Sequence, residues 1–188
     1  MSEEMIVRNC SPTLAGLKTA NLFSCPYRTV EELRRQIKAL NRRLDGKGLR
    51  IIPLRISNGK ALIYVYRPSK LKKDFSNTDT ARLLEGFGYD MGACPEICVG
   101  KLARILQAGE ESSSAFPHEI GLFLGYPPED VQGFISKGGS ACKLSGCWKV
   151  YGDEDAARRT FASYKKCTEL YVRLHSGGQS LENLAVKS

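Results

Sequence analysis

The chain has 188 residues, 42% of them hydrophobic, and a formal net charge of +8. This is enough length and apolar content for one core-forming domain. The longest apolar runs, near 61–66 and 120–126, fall far short of the roughly 20 residues that span a bilayer, and the acidic start Met1-Ser2-Glu3-Glu4 is unlike a secretion signal. The expectation is therefore a cytoplasmic protein with no membrane partner. Seven cysteines, an odd count in a chain without the character of a disulfide scaffold, read as reduced thiols.

In chain order, Ser11-Pro12 reads as a helix start, since serine caps well and proline suits the first turn. Leu14, Leu17 and Leu22 would face inward, and Cys25-Pro26 would end the helix. A second helix follows from the capping box Thr29-Val30-Glu31-Glu32, with Leu33, Ile37, Leu40 and Leu44 at helical spacing. Asn58-Gly59 between apolar runs predicts a β-hairpin over 49–56 and 61–67, because a two-residue type I′ turn needs positive φ at both centres. The simple register pairs Ile56 with Ala61, Leu54 with Ile63 and Ile52 with Val65 on a core face. Arg55, Tyr64 and Tyr66 share the other, mixed face. Short helices are expected at 78–84, from Cys94-Pro95 on with Ile97, Leu102 and Ile105 inward, at 118–124, and from Pro127-Pro128 to Lys137. Residues 109–114 read as a polar loop. Residues 147–151 read as a strand, and a last helix starts near Asp153 with Ala157, Phe161, Tyr164, Thr168 and Tyr171 inward. The whole is α+β: a small antiparallel sheet of at least three strands, built on the hairpin and covered by several helices, over residues 1–175. Residues 176–188 read as a loose tail.

Several stretches carry a resemblance. Cys10-Ser11-Pro12-Thr13-Leu14-Ala15-Gly16-Leu17-Lys18, Ala61-Leu62-Ile63-Tyr64-Val65-Tyr66-Arg67-Pro68 and above all Phe116-Pro117-His118-Glu119-Ile120-Gly121-Leu122-Phe123-Leu124-Gly125-Tyr126-Pro127-Pro128-Glu129-Asp130-Val131, with Trp148-Lys149-Val150-Tyr151-Gly152-Asp153, resemble the bacterial domain-of-unknown-function family number 3793. The resemblance runs to about Leu174 and implies an anaerobe's reducing cytoplasm. It implies no activity and no catalytic residue.

The motifs that are missing exclude several chemistries. There is no Walker A pattern and no nucleophile elbow, and Gly86-Phe87-Gly88 meets Met91 where a dinucleotide fingerprint needs glycine. His118-Glu119 reaches leucine at 122, which excludes the zincin motif. Cys94/Cys98 and Cys142/Cys147 lack the spacing of common zinc ribbons, so no metal site is assigned. The cofactor stays unknown.

Two functional readings remain, besides an adaptor recognised through its apolar segment 116–126. The first is a thiol-dependent enzyme or redox/ligand-binding protein for a small molecule. Cys10 just before a helix start would gain thiolate character from the helix dipole, with His118 as acid/base and Glu119 beside it. Cys25 and Cys94, each before a proline, allow the same argument more weakly. The second is a nucleic-acid or polyanion module. Between Arg28 and Lys73 the net charge is +11, against −3 for the rest. Arg34, Arg35, Lys38, Arg42 and Arg43 on the second helix, with Arg55, Tyr64, Tyr66 and Arg67 from the hairpin, would contact phosphates and stack on bases. Leu122, Phe123, Leu124, Tyr126 and Trp148 read as packing residues.

Overall fold

The computed structural model describes residues 1–109 and 116–187. Helix α1 (Glu3–Leu14) leads into strand β1 (Ala20–Pro26), helix α2 (Val30–Leu44) and strands β2 (Arg50–Ser57) and β3 (Lys60–Tyr66). Helices α3 (Pro68–Phe75), α4 (Thr78–Gly86), α5 (Pro95–Ala108), α6 (Ile120–Phe123) and α7 (Pro128–Lys137) follow. A two-residue ladder of β4 (Leu144–Ser145) and β5 (Lys149–Val150) precedes the long helix α8 (Glu154–Ser176) and a final turn, α9 (Leu181–Leu184). The fold is α+β, with an antiparallel sheet in the order β1-β3-β2. Among the described residues no helix is long and apolar enough to cross a membrane. The polar loop expected over 109–114 lies, from residue 110 on, outside the described residues.

Where local signals agree, the elements form as expected. Thr29 caps α2 by accepting from the Glu32 N–H at 3.1 Å, and Leu33, Ile37, Leu40 and Leu44 are all buried. Asn58 and Gly59 turn the hairpin with φ of 47° and 73°. The first helix differs. It starts at Ser2, whose hydroxyl accepts from the Met5 N–H at 3.2 Å, with Glu3 and Glu4 favouring the positive end. Ser11 is not a cap: its hydroxyl donates back to the Val7 carbonyl at 2.5 Å, inside the helix. The chain then reverses, and residues expected to continue that helix form β1, where Leu22 pairs with Tyr64. Helix α3, absent from the sequence reading, starts at Pro68 with Arg67 as its N-cap residue.

The hairpin register holds from Ser57/Lys60 to Arg55/Leu62 and then shifts. Leu54 is the extra residue of a bulge, so Pro53 pairs with Ile63, Ile52 with Tyr64 and Ile51 with Val65. Pro53 brings no N–H to the ladder, and β2 is an edge strand, where proline is tolerated. The bulge switches strand parity. Ile51 and Ile56 join Ala61, Ile63 and Val65 on one face, while Leu54 and Ile52 join Tyr64 and Tyr66 on the other. Both sheet faces are therefore core. One packs under α1, α2 and α9, the other under α3 to α7. The free edge of β2 is closed by two side-chain amides. Asn41 exchanges hydrogen bonds with the Ile51 N–H and C=O at 2.8 and 2.7 Å, and Gln107 does the same with Ile56 at 3.1 and 3.3 Å.

The C-terminal segment is not a loose tail. Leu181, Leu184 and Ala185 are buried in the first core, and the Val186 N–H donates to the Leu14 carbonyl at 3.0 Å. Glu182 is hydrogen-bonded to Arg43, which also meets Glu3 at 2.6 Å. That pairing holds the Glu182 carboxyl down at about 2 from an ordinary 4.5. A depressed carboxyl adds stability that is complete above about pH 4.5 and is lost as the pH falls towards 2. Urea midpoints followed from pH 7 to pH 3 should therefore fall more steeply for the wild type than for Glu182→Gln. Parallel curves would contradict the tether.

Candidate functional site

The thiol proposed from sequence is not at a helix N-terminus. Cys10 lies in the third turn of α1, completely buried in the core, and burial pushes its thiol far above the ordinary range. Cys25 is equally buried, in β1. Cys94 does precede a helix, α5, and is exposed. With iodoacetamide at neutral pH, Cys94 and Cys147 should label at least about a hundredfold faster than Cys10, which waits for an opening of the core. Peptide mapping of a time course reads this directly. Among the described residues no group of three or more His, Cys, Asp or Glu is placed to hold a metal ion.

The basic region is also divided by the fold. Tyr64 and Tyr66 are buried and stacked on each other at 4.8 Å, and the Tyr64 hydroxyl donates to the Phe123 carbonyl at 2.6 Å. Neither is a platform for a base. Arg67 is 1% exposed and donates to the carbonyls of Thr13, Leu14, Lys47 and Val186. It is a structural arginine, not an anion contact. Arg43 is engaged by Glu3 and Glu182, and Arg55 is half-buried in β2. Arg35 is exposed. Arg34, Lys38 and Arg42 remain together, lining with Arg50 and Asp45 an open groove of about 490 Å³.

His118 has a different setting. It is exposed, and its ring meets Phe134 edge to face at 4.9 Å. The two border an apolar cleft of about 370 Å³, whose other walls include Ile120, Tyr126, Val131 and Trp148. Glu119, one residue on, is buried and accepts from the Tyr89 hydroxyl at 3.1 Å, outside the cleft lining. The segment 116–126 is not an exposed apolar patch as a whole: Ile120 to Leu124 are core, while Phe116 is 44% exposed at the cleft.

Close packing of α6, α7 and the β4–β5 ladder builds this cleft. Asp130, in the first turn of α7, is buried and fully engaged. It accepts from the Trp148 indole N–H at 2.7 Å and from the backbone N–H groups of Tyr151 and Gly152 at 2.7 and 2.8 Å. The carboxylate thereby fixes the indole and the end of β5 in one operation. Trp148 stacks on Tyr126 at 4.9 Å and meets Phe161 edge-on at 4.5 Å. Gly133 of α7 lets the helix lie against Tyr151: a Cβ there would fall 2.4 Å from the ring. The sequence named His118 but missed Phe134, Asp130 and Trp148 as its companions. The signal was the pairing of Pro127-Pro128-Glu129-Asp130 with Trp148-Lys149-Val150-Tyr151-Gly152 inside the same resemblance.

Tyr126 is a shared wall. It also borders a second cavity of about 420 Å³, which Lys18, Cys147 and Tyr164 line as well.

These features define an α+β protein in which two distinctive sequence segments, 116–131 and 148–153, meet at one aromatic cleft. The chain belongs to the DUF3793 family, described as proteins of unknown function, whose model matches residues 6–185. No curated protein and no solved structure matches it.

Proposed function

We propose that the protein binds a small, flat, largely apolar molecule in the cleft between His118, Phe134 and Trp148. The observation that carries this reading is the cleft itself. A volume of about 370 Å³ lies in the range of small-ligand sites, the walls are aromatic and aliphatic, and polar groups are few. Aromatic faces supply contact area at low entropy cost, and His118 at the rim can donate or accept one orienting hydrogen bond. The small-molecule part of the sequence reading is kept. The role given there to Cys10 is not, because a sealed, protonated thiol is no nucleophile.

The chain has a single tryptophan, so its fluorescence reports the cleft. Titration with a panel of monosubstituted benzenes, naphthalenes and quinolines should quench or shift Trp148, with binding at least about tenfold weaker in Phe134→Ala. A panel without effect at millimolar concentration, or equal binding by the variant, would overturn the proposal. A polyanion reading rests on the groove of Arg34, Lys38 and Arg42 alone, without stacking tyrosines, and takes second place.

A further inference from the structure

We propose that Lys18 is the reactive amine of a second site, one that takes a small aldehyde or ketone and holds it as an imine. Lys18 lies between α1 and β1, is 6% exposed, and runs over the ring of Tyr126 at 5.0 Å. Among the described residues its ammonium has no carboxylate and no hydrogen-bond acceptor in reach, and the nitrogen itself is not sealed from solvent. It borders the cavity of about 420 Å³ that Tyr126 also lines, together with Leu124, Cys147 and Tyr164. Its stem is buried while its ammonium opens on a cavity of ligand size, where a small molecule can reach the amine.

The surroundings tilt its titration towards the free amine. Burial lowers its pKa to about 8, opposed by Cys147 and Cys10. The other titratable groups around the cavity are Tyr126, Tyr164, Lys165 and Glu169. About a tenth of Lys18 is then neutral at pH 7, against a few ten-thousandths of an ordinary lysine. The neutral Nζ adds to the carbonyl carbon, forming the C–N bond while the carbonyl electron pair moves to oxygen. A proton passes from nitrogen to that oxygen, and loss of water leaves the C=N bond. No oxidant or reductant is needed. Burial raises the Tyr126 and Tyr164 hydroxyls to about 12, so both stay protonated at neutral pH, and Tyr164 lines the cavity as a group able to relay the proton.

The test uses the whole protein with propanal and cyanoborohydride, followed by peptide mapping. Lys18 should be alkylated at least about tenfold faster than the average surface lysine at pH 7, with a rate that levels off above about pH 8. Lys18→Arg should remove this fast phase while keeping the charge, and Phe134→Ala should leave it unchanged. The outcome is thereby independent of the aromatic cleft. If Lys18→Arg fails to fold, the wild-type map alone decides. Lys18 lagging behind the surface lysines, or a rate still rising steeply to pH 10, would overturn the proposal. A second readout is stability. Lys18→Met should leave the urea midpoint at pH 7 unchanged or raise it, whereas a marked fall would assign Lys18 a structural role instead.

Discussion

Arg67→Met is expected to lose at least about 3 kcal/mol of stability, the largest effect of any single replacement considered for this chain. The guanidinium joins four separate parts of the fold. Its Nε donates to Thr13 at 2.7 Å, Nη2 donates to Leu14 and Val186 at 2.7 and 2.8 Å, and Nη1 donates to Lys47 at 3.1 Å. The end of α1, the turn after α2 and the C-terminal strap are thus held from the end of the central strand. Methionine fills similar space but gives up these four hydrogen bonds, leaving the Thr13 and Leu14 carbonyls only the N–H groups of Gly16 and Val186, and each lost charged hydrogen bond is worth about 1.5–3 kcal/mol. Lysine should rescue little, because one ammonium cannot reproduce the fork. Urea unfolding at unchanged slope is the measurement. Removing residues 180–188 should cost less in the Arg67→Met background than in the wild type, since the two share partners. A loss under about 1 kcal/mol for Arg67→Met would show that water replaces the fork.

Gly133→Ala is expected to destabilise by about 2 kcal/mol, although alanine is the better helix former by nearly 1 kcal/mol. Gly133 lies inside α7, and a Cβ there would stand 2.4 Å from Cγ and 2.7 Å from Cβ of Tyr151. A rotation about χ1 could move Cγ away, but Cβ is fixed to the backbone, so no rotamer change clears the whole clash. The helix and β5 must part, which strains the Asp130 bonds to Tyr151 and Gly152 and loosens Trp148. Combining Gly133→Ala with Tyr151→Gly should cost less than the sum of the two singles, because glycine at 151 removes every side-chain atom that clashes. Additive losses, or a stabilised Gly133→Ala, would contradict this account of the cleft's construction.

What could be read from sequence was local. Thr29 and Glu32 with an apolar stripe specify α2 at every level, and Asn58-Gly59 can hardly be anything but a tight turn. Errors arose where two local signals competed. Ser11-Pro12 is a good helix start, but Ser2 with Glu3 and Glu4 is an earlier one, and it wins. The hairpin pattern fits two registers, and only burial of both sheet faces selects the bulge at Leu54. Gly177-Gly178 looks like a linker, yet Leu181, Leu184 and Ala185 are apolar enough to dock once Arg43 and Arg67 are in place. The site is harder still. His118 announced itself by its chemistry, but Trp148 and Phe134 meet it only through tertiary packing. Lys18 is like any other lysine until its burial is known.

The most direct measurement is the indole cross-peak of Trp148 in a nitrogen–proton NMR spectrum, a single resonance because the chain has one tryptophan. Its N–H is bonded to Asp130 at the cleft wall. Saturable movement of this peak as an aromatic fragment is added, together with the backbone signals of Val131 and Phe134, is the result this account predicts. A peak that stays fixed while shifts gather elsewhere, or nowhere, would contradict a ligand site between His118, Phe134 and Trp148.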